Sequence, residues 1–94
     1  MKSILLVEDD KSLNQGITLK LKKEGYRVSS AFSLEEAEEL FASAAWDLLI
    51  CDVGLPDGSG LDFCRRVRQV SDVFILFLTA LDSEIDMVTA YDLG

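Results

Sequence analysis

Three acidic residues stand where two apolar runs end, and together they have the chemistry of a hard-cation site. Ile4-Leu5-Leu6-Val7 passes directly into Glu8-Asp9-Asp10, and Leu48-Leu49-Ile50-Cys51 passes directly into Asp52. A third apolar run, Val73 to Leu78, ends at Thr79. Carboxylates gathered at one place repel each other, by ~4 kcal/mol for a pair about 4 Å apart near a protein surface. A divalent cation that prefers oxygen ligands offsets that cost, which points to Mg2+ held by Glu8, Asp9 and Asp52. An aspartate carboxylate is also a competent nucleophile toward phosphorus, giving an acyl phosphate.

The elements that must bring these groups together alternate strand and helix along the chain. Ser3 to Val7 reads as a strand, and Leu13, Ile17 and Leu21 then recur at helical spacing until Gly25 stops the helix. Leu19 lies off that stripe and is expected to face water. Tyr26 to Ala31 reads as a second, weaker strand. Ser33 to Glu36 is a capping box that opens a helix with Ala37, Leu40 and Phe41 inward. Asp47 to Asp52 is a strand apolar enough to be covered on both faces. A glycine-rich loop from Gly54 to Gly60 holds the only proline, Pro56. Leu61, Cys64 and Val67 mark a third helix, with Arg65, Arg66 and Arg68 outward. Val73 to Thr79 is a fourth strand, and Asp82 or Ser83 caps a fourth helix expected to run to Leu93.

This order predicts an α/β fold, a doubly wound parallel sheet with helices on both faces. The strand order that unites the acids is 2-1-3-4, because it makes the first and third strands neighbours. The gap above them is the topological switch point, where ligands bind in open α/β sheets. Asp10 has a competing reading as a helix cap, and capping is the better one for it.

Composition narrows the function classes. The chain has 94 residues and a formal charge of −8, which suits a single domain and argues against a nucleic-acid backbone as its partner. It contains no histidine, so zinc sites and histidine-based acid–base chemistry are not expected. Cys51 and Cys64 form no CxxC pair and read as buried small hydrophobes. The apolar runs are too short to span a bilayer, so a cytoplasmic location without membrane contact is expected. The acidic cluster Glu35, Glu36, Glu38 and Glu39 reads as a solvated helix face. Gly58 and Gly60 read as turn formers and a helix entry, and no GxGxxG or Walker pattern supports nucleotide binding.

At this point the residues resemble a known family. Ile4 to Asp10, Asp47 to Gly60 and Phe77-Leu78-Thr79-Ala80, in this order and spacing, resemble the receiver domain of two-component response regulators. The Leu55-Pro56-Asp57-Gly58 loop is most similar to the OmpR/PhoB branch. The resemblance implies a flavodoxin-like (CheY-like) fold over residues 1–94, with Asp52 as phosphoacceptor. It implies that Glu8 and Asp9 are the acidic pair for Mg2+, with the Gly54 backbone carbonyl as a further ligand. Thr79 would be the hydroxyl that turns toward the phosphoryl group, and Ala80 the small residue that keeps the site open. A sensor histidine kinase would be the phosphoryl donor. The domain would be a phosphoacceptor with possible autophosphatase activity and no enzyme in the ordinary sense. DNA would be bound only by a C-terminal output domain absent from this chain.

The same resemblance places a neutralising lysine, an aromatic switch residue and a last helix beyond Gly94, whereas every lysine here lies at or before Lys23. On that basis the fifth strand and fifth helix are missing and phosphorylation of these 94 residues alone is expected to be poor. The fourth strand is then an edge, an expected route of self-association, and apolar side chains on one sheet face lie uncovered. Alternatives are a pseudo-receiver interaction module, an aspartyl-phosphate phosphatase and a flavodoxin-like cofactor carrier. The phosphatase reading lacks the second acid of a DxD motif at Asp52-Val53-Gly54. The carrier reading conflicts with an acidic first strand–helix turn, and a pseudo-receiver would be expected to have lost one of the acids.

Overall fold

The computed structural model describes residues 2–81 and 84–91, with side chains for residues 2–78. In chain order the elements are β1 (Ser3–Val7), α1 (Lys11–Lys23), β2 (Arg27–Ala31), α2 (Leu34–Ser43), β3 (Leu48–Asp52), β4 (Gly54–Leu55), β5 (Gly58–Ser59), α3 (Gly60–Val70), β6 (Phe74–Leu81) and β7 (Glu84–Tyr91). The main sheet has the order β2-β1-β3-β6-β7, and its first four strands run parallel. This is the expected doubly wound order, with β6 as the fourth main strand. No helix among the described residues is long and apolar enough to cross a membrane.

Strand periodicity divides the core in two. Leu5, Val7, Leu49, Cys51, Ile75 and Phe77 point to one face, where Ala37 of α2 and Phe63, Cys64 and Val67 of α3 cover them. The alternate residues Ile4, Leu6, Ile50 and Leu78 point to the other face, toward Ile17 and Leu21 of α1. Successive side chains of a strand alternate sides, so one apolar run supplies both cores. Two helices cover the first face and one the second. An apolar groove of about 600 Å³ therefore lies beside α1, lined among others by Ile4, Leu48, Ile50, Phe74 and Leu76. The expectation of uncovered apolar side chains on one sheet face is met there.

The capping signals work as read. Asp10 accepts the Leu13 N–H at 3.1 Å, and Ser33 accepts the Glu36 N–H at 3.2 Å. Glu36 reaches back one residue past the cap, accepting the Phe32 N–H at 2.7 Å. Gly25 follows α1 with φ of +98°, a conformation that side chains disfavour. Leu19 is exposed as expected, while Arg68 is half-buried and donates to the Ser71 carbonyl rather than facing water.

Three expectations change. Residues 84–91 form strand β7, antiparallel to β6, where a fourth helix was expected. Ile85, Val88, Thr89 and Tyr91 are all good strand formers, and pairing with β6 satisfies a row of backbone groups that would otherwise form a free edge. For the same reason β6 is internal, so the expected route of self-association along its edge is closed. Asp82 and Ser83 lie outside the described residues. The glycine-rich loop is also more ordered than a simple turn, since β4 and β5 pair as a small antiparallel ladder through Gly54 with Ser59 and Leu55 with Gly58.

Candidate phosphoacceptor and metal site

The site begins with strand register. Val7 of β1 pairs with Cys51 of β3, so the chains that continue into Glu8 and Asp52 leave the sheet as neighbours. Carboxylate oxygens of Glu8, Asp9 and Asp52 come within 4.8 Å of one another. Glu8 is almost fully buried, at 2% exposure, while Asp52 is half-buried and Asp9 exposed. The Asp10 N–H donates to the Glu8 carboxylate at 2.8 Å, which bends that side chain back over the strand end. Asp10 itself caps α1 and does not join the cluster.

Electrostatics follow from this crowding. Burial pushes Glu8 up to about 7, reinforced by the nearby Asp52 charge and opposed by the Asp10 N–H. Asp52 is also raised, by burial first, while N–H groups of Gly54 and Val53 and a hydrogen bond from Glu8 pull it back down. Three oxygen donors with no histidine or thiolate among them fit a hard cation such as Mg2+. A cation at this point would favour the ionised form of Glu8, against the burial that raises it and the nearby Asp52 and Asp9 charges that add to it.

The loop after Asp52 is held from two sides. The Gly60 N–H donates to the Val53 carbonyl at 2.7 Å, drawing the start of α3 against the loop. Asp57 reaches across to α2, accepting the Leu34 N–H at 2.9 Å and the Glu35 N–H at 3.1 Å. These bonds hold Asp57 below the usual carboxylate range. The sequence shows Asp57 only as a turn residue after Pro56, and nothing local reveals its partner on α2. Asn14 is the second residue missed. It is 1% exposed and hydrogen-bonds the end of β1. Its signal is a polar residue at helical spacing with Ile17, Thr18 and Leu21.

Thr79 lies on β6 one residue past Leu78, the register partner of Asp52. The side chains of Thr79 and Ala80 lie outside the described residues. Cys51 and Cys64 are fully buried, as read from sequence. The Cys51 thiol is pushed well above its usual range, first by its hydrogen bond with Cys64 and then by burial.

Comparison with known proteins matches residues 4–94 to the family described as response regulator receiver domain. The chain belongs to this family. This match bears out the resemblance read from the sequence, and receiver domains as a family act as phosphoacceptors. This receiver domain is 37% identical over 94 residues to the transcriptional regulatory protein AfsQ1 of Streptomyces coelicolor, and spans 42% of that protein's length. Among solved structures it is similar to the non-phosphorylated receiver domain of HemR from Leptospira biflexa. The TM-score is 0.81 at 39% identity, over 89% of this chain and 68% of that one. It is equally similar to TrrA from Thermotoga maritima in complex with Mg2+ and BeF, with TM-score 0.81 and 36% identity over 87% and 72% of the two chains.

Proposed function

We propose that this receiver domain takes a phosphoryl group from a phosphohistidine of a sensor histidine kinase onto Asp52. The observation that carries this reading is the convergence of Glu8, Asp9 and Asp52 within 4.8 Å at the carboxyl ends of β1 and β3. In the reaction a carboxylate oxygen of Asp52 attacks phosphorus, the P–N bond breaks, and its electron pair leaves with the imidazole nitrogen. The product is a mixed anhydride on Asp52. Such transfer depends on positioning and charge stabilisation more than on a strong base. The Val53 and Gly54 N–H groups already point at the Asp52 carboxylate and are suited to bind phosphoryl oxygens. Thr79, next along β6, is assigned the hydroxyl that contacts the phosphoryl group.

Mg2+ is the cation the donor set fits, with Glu8, Asp9, Asp52 and the Gly54 carbonyl as its ligands in this reading. When bound, it supplies positive charge against both the carboxylates and the transferring phosphoryl group. The Mg2+ and BeF bound to TrrA support the assignment. The name of AfsQ1 supports a transcriptional role exerted through an output domain that binds DNA, in a longer cytoplasmic regulator of which residues 1–94 are the receiver.

Treating the intact regulator with acetyl phosphate or a phosphorylated kinase, then trapping with borohydride, tests the reading by mass spectrometry. The modified residue is expected to be Asp52. Label on Asp10 or Asp57 instead would overturn it.

A further inference from the structure

Between the end of β1 at Val7 and the start of α1 at Lys11 lie three residues with no ladder to fix them. Two of them, Glu8 and Asp9, carry the acidic pair. The β1–β3 pairing stops at Val7 with Cys51, so the Glu8 carbonyl has no strand partner on that side. A buried carbonyl left unpaired is costly, and something must supply the donor. Asn14 supplies it from the first turns of α1, its side-chain N–H₂ donating to the Glu8 carbonyl at 3.0 Å and the Ala31 carbonyl at 3.4 Å. The Glu8 N–H also donates to the Ala31 carbonyl, at 3.0 Å. The Glu8 residue is thus gripped at both its N–H and its carbonyl.

Asn14 is itself held. Its backbone N–H donates to the Asp10 carbonyl at 2.8 Å, and its side-chain oxygen accepts from the Thr18 hydroxyl at 3.2 Å. Thr18 in turn meets the Ser30 hydroxyl at 3.0 Å. Glu8 and Asn14 are the buried polar residues among those described, and the Asn14 side chain bonds the Glu8 main-chain carbonyl. An apolar residue in this helix position would pack as well but leave the Glu8 carbonyl orphaned. A polar residue is retained in a buried position where its hydrogen bonds decide geometry.

We propose that Asn14 is a positioning residue for the acidic cluster: by holding the Glu8 carbonyl it sets the direction in which Glu8 and Asp9 present their carboxylates to a divalent cation. The inference rests on the Mg2+ reading above. Groups that orient metal ligands without touching the metal typically alter affinity by tenfold or more.

The test is calorimetric titration of MgCl2 into the folded wild type, Asn14→Ala, Asn14→Ser and Thr18→Val, with urea unfolding of each. Asn14→Ala and Asn14→Ser are expected to bind Mg2+ about tenfold more weakly. Thr18→Val breaks the same network on its far side, so it should lose stability yet bind Mg2+ within about twofold of wild type. If the Asn14 variants fold but bind as wild type does, Asn14 is merely structural and the inference fails alone. Equal weakening in Thr18→Val also overturns it, because the Glu8 contact is then not what matters. A wild type that does not bind Mg2+ removes the underlying reading instead. Should neither Asn14 variant fold, the Asn14 side-chain amide signals in wild-type NMR spectra must shift with the same Mg2+ midpoint as the Glu8 and Asp9 amides. Unmoved signals overturn the inference.

Discussion

Val7 and Cys51 are parallel register partners at the last paired rungs of β1 and β3, and each is followed at once by an acid of the site. Residues far apart in sequence therefore meet without any loop having to reach. The sheet imposes the approach, and burial at the strand ends raises both Glu8 and Asp52, with nearby carboxylate charge adding to it. Stability is given up locally where function needs charge, a pattern expected of binding sites.

Mg2+ should stabilise the folded domain. At a free concentration one hundred times the Kd, the gain is about 2.7 kcal/mol. Urea unfolding with and without MgCl2 measures it. The Asp9→Asn, Asp52→Asn double variant should show no such gain. A gain of wild-type size in that variant would place the cation elsewhere.

The metal-free domain should respond to pH in a direction set by Glu8. Its folded value of about 7 lies above the ordinary 4.5, so folding takes up a proton. That contribution is full below about 4.5 and lost as pH rises through about 7. The metal-free protein should therefore lose stability between about pH 5 and about pH 8, and Mg2+ should restore most at the upper end, where Glu8 is ionised. The comparison is with Glu8→Gln, which cannot titrate and should give a flatter profile. Coincident profiles for the two proteins would count against the assignment.

Much of this was legible in the residues. The apolar runs of β1 and β3 predict their burial, and the acids that end them predict the site, because chain direction and strand order leave them nowhere else to go. Asp10 and Ser33 cap where their patterns say, since capping bonds reach only three residues along the chain. Asp57 and Asn14 were not legible as functional residues. Their partners, on α2 and at the ends of β1 and β2, are set by tertiary packing, and the one local sign is a polar Asn14 at helical spacing with Ile17 and Leu21. Residues 84–91 depart from expectation for a related reason. Their pattern is compatible with a helix, and the free edge of β6 decides for a strand.

Asp57 should hold the loop to α2 in a pH-dependent way. Its carboxylate is held below the usual range by the Leu34 N–H first, and by the Glu35 N–H. A depressed folded value means the contribution is present above the unfolded value of about 3.9 and lost as pH falls through the folded one. Asp57→Ala should speed amide hydrogen exchange at Leu34 and Glu35 while leaving β1 and β3 protected. Unchanged exchange at those two amides would show that α2 does not depend on the loop.

Gly60 should be intolerant of any side chain, and for a reason of space rather than backbone angle. A Cβ there would collide with the Asp52 carbonyl oxygen and stand 3.0 Å from the Cys51 sulfur. Neither neighbour can yield easily. The first is backbone, and the second is packed in the core with its thiol donating to that same carbonyl at 3.3 Å. Gly60→Ala must therefore push α3 away from β3 or displace Asp52, at a cost of about 3 kcal/mol. If Asp52 moves, Mg2+ affinity falls as well, which separates this variant from a simple loss of packing. Gly16 provides the contrast, since it lies exposed in α1 and a Cβ at that position would meet nothing within 4 Å. Gly16→Ala should stabilise by up to about 1 kcal/mol through helix propensity, with Mg2+ binding unchanged. Paired urea and MgCl2 titrations of the two variants decide the matter. A Gly60→Ala protein as stable as wild type would mean that α3 can move off the phosphoacceptor loop at no cost, and that the close approach of Gly60 to the Asp52 carbonyl does not hold the loop in place.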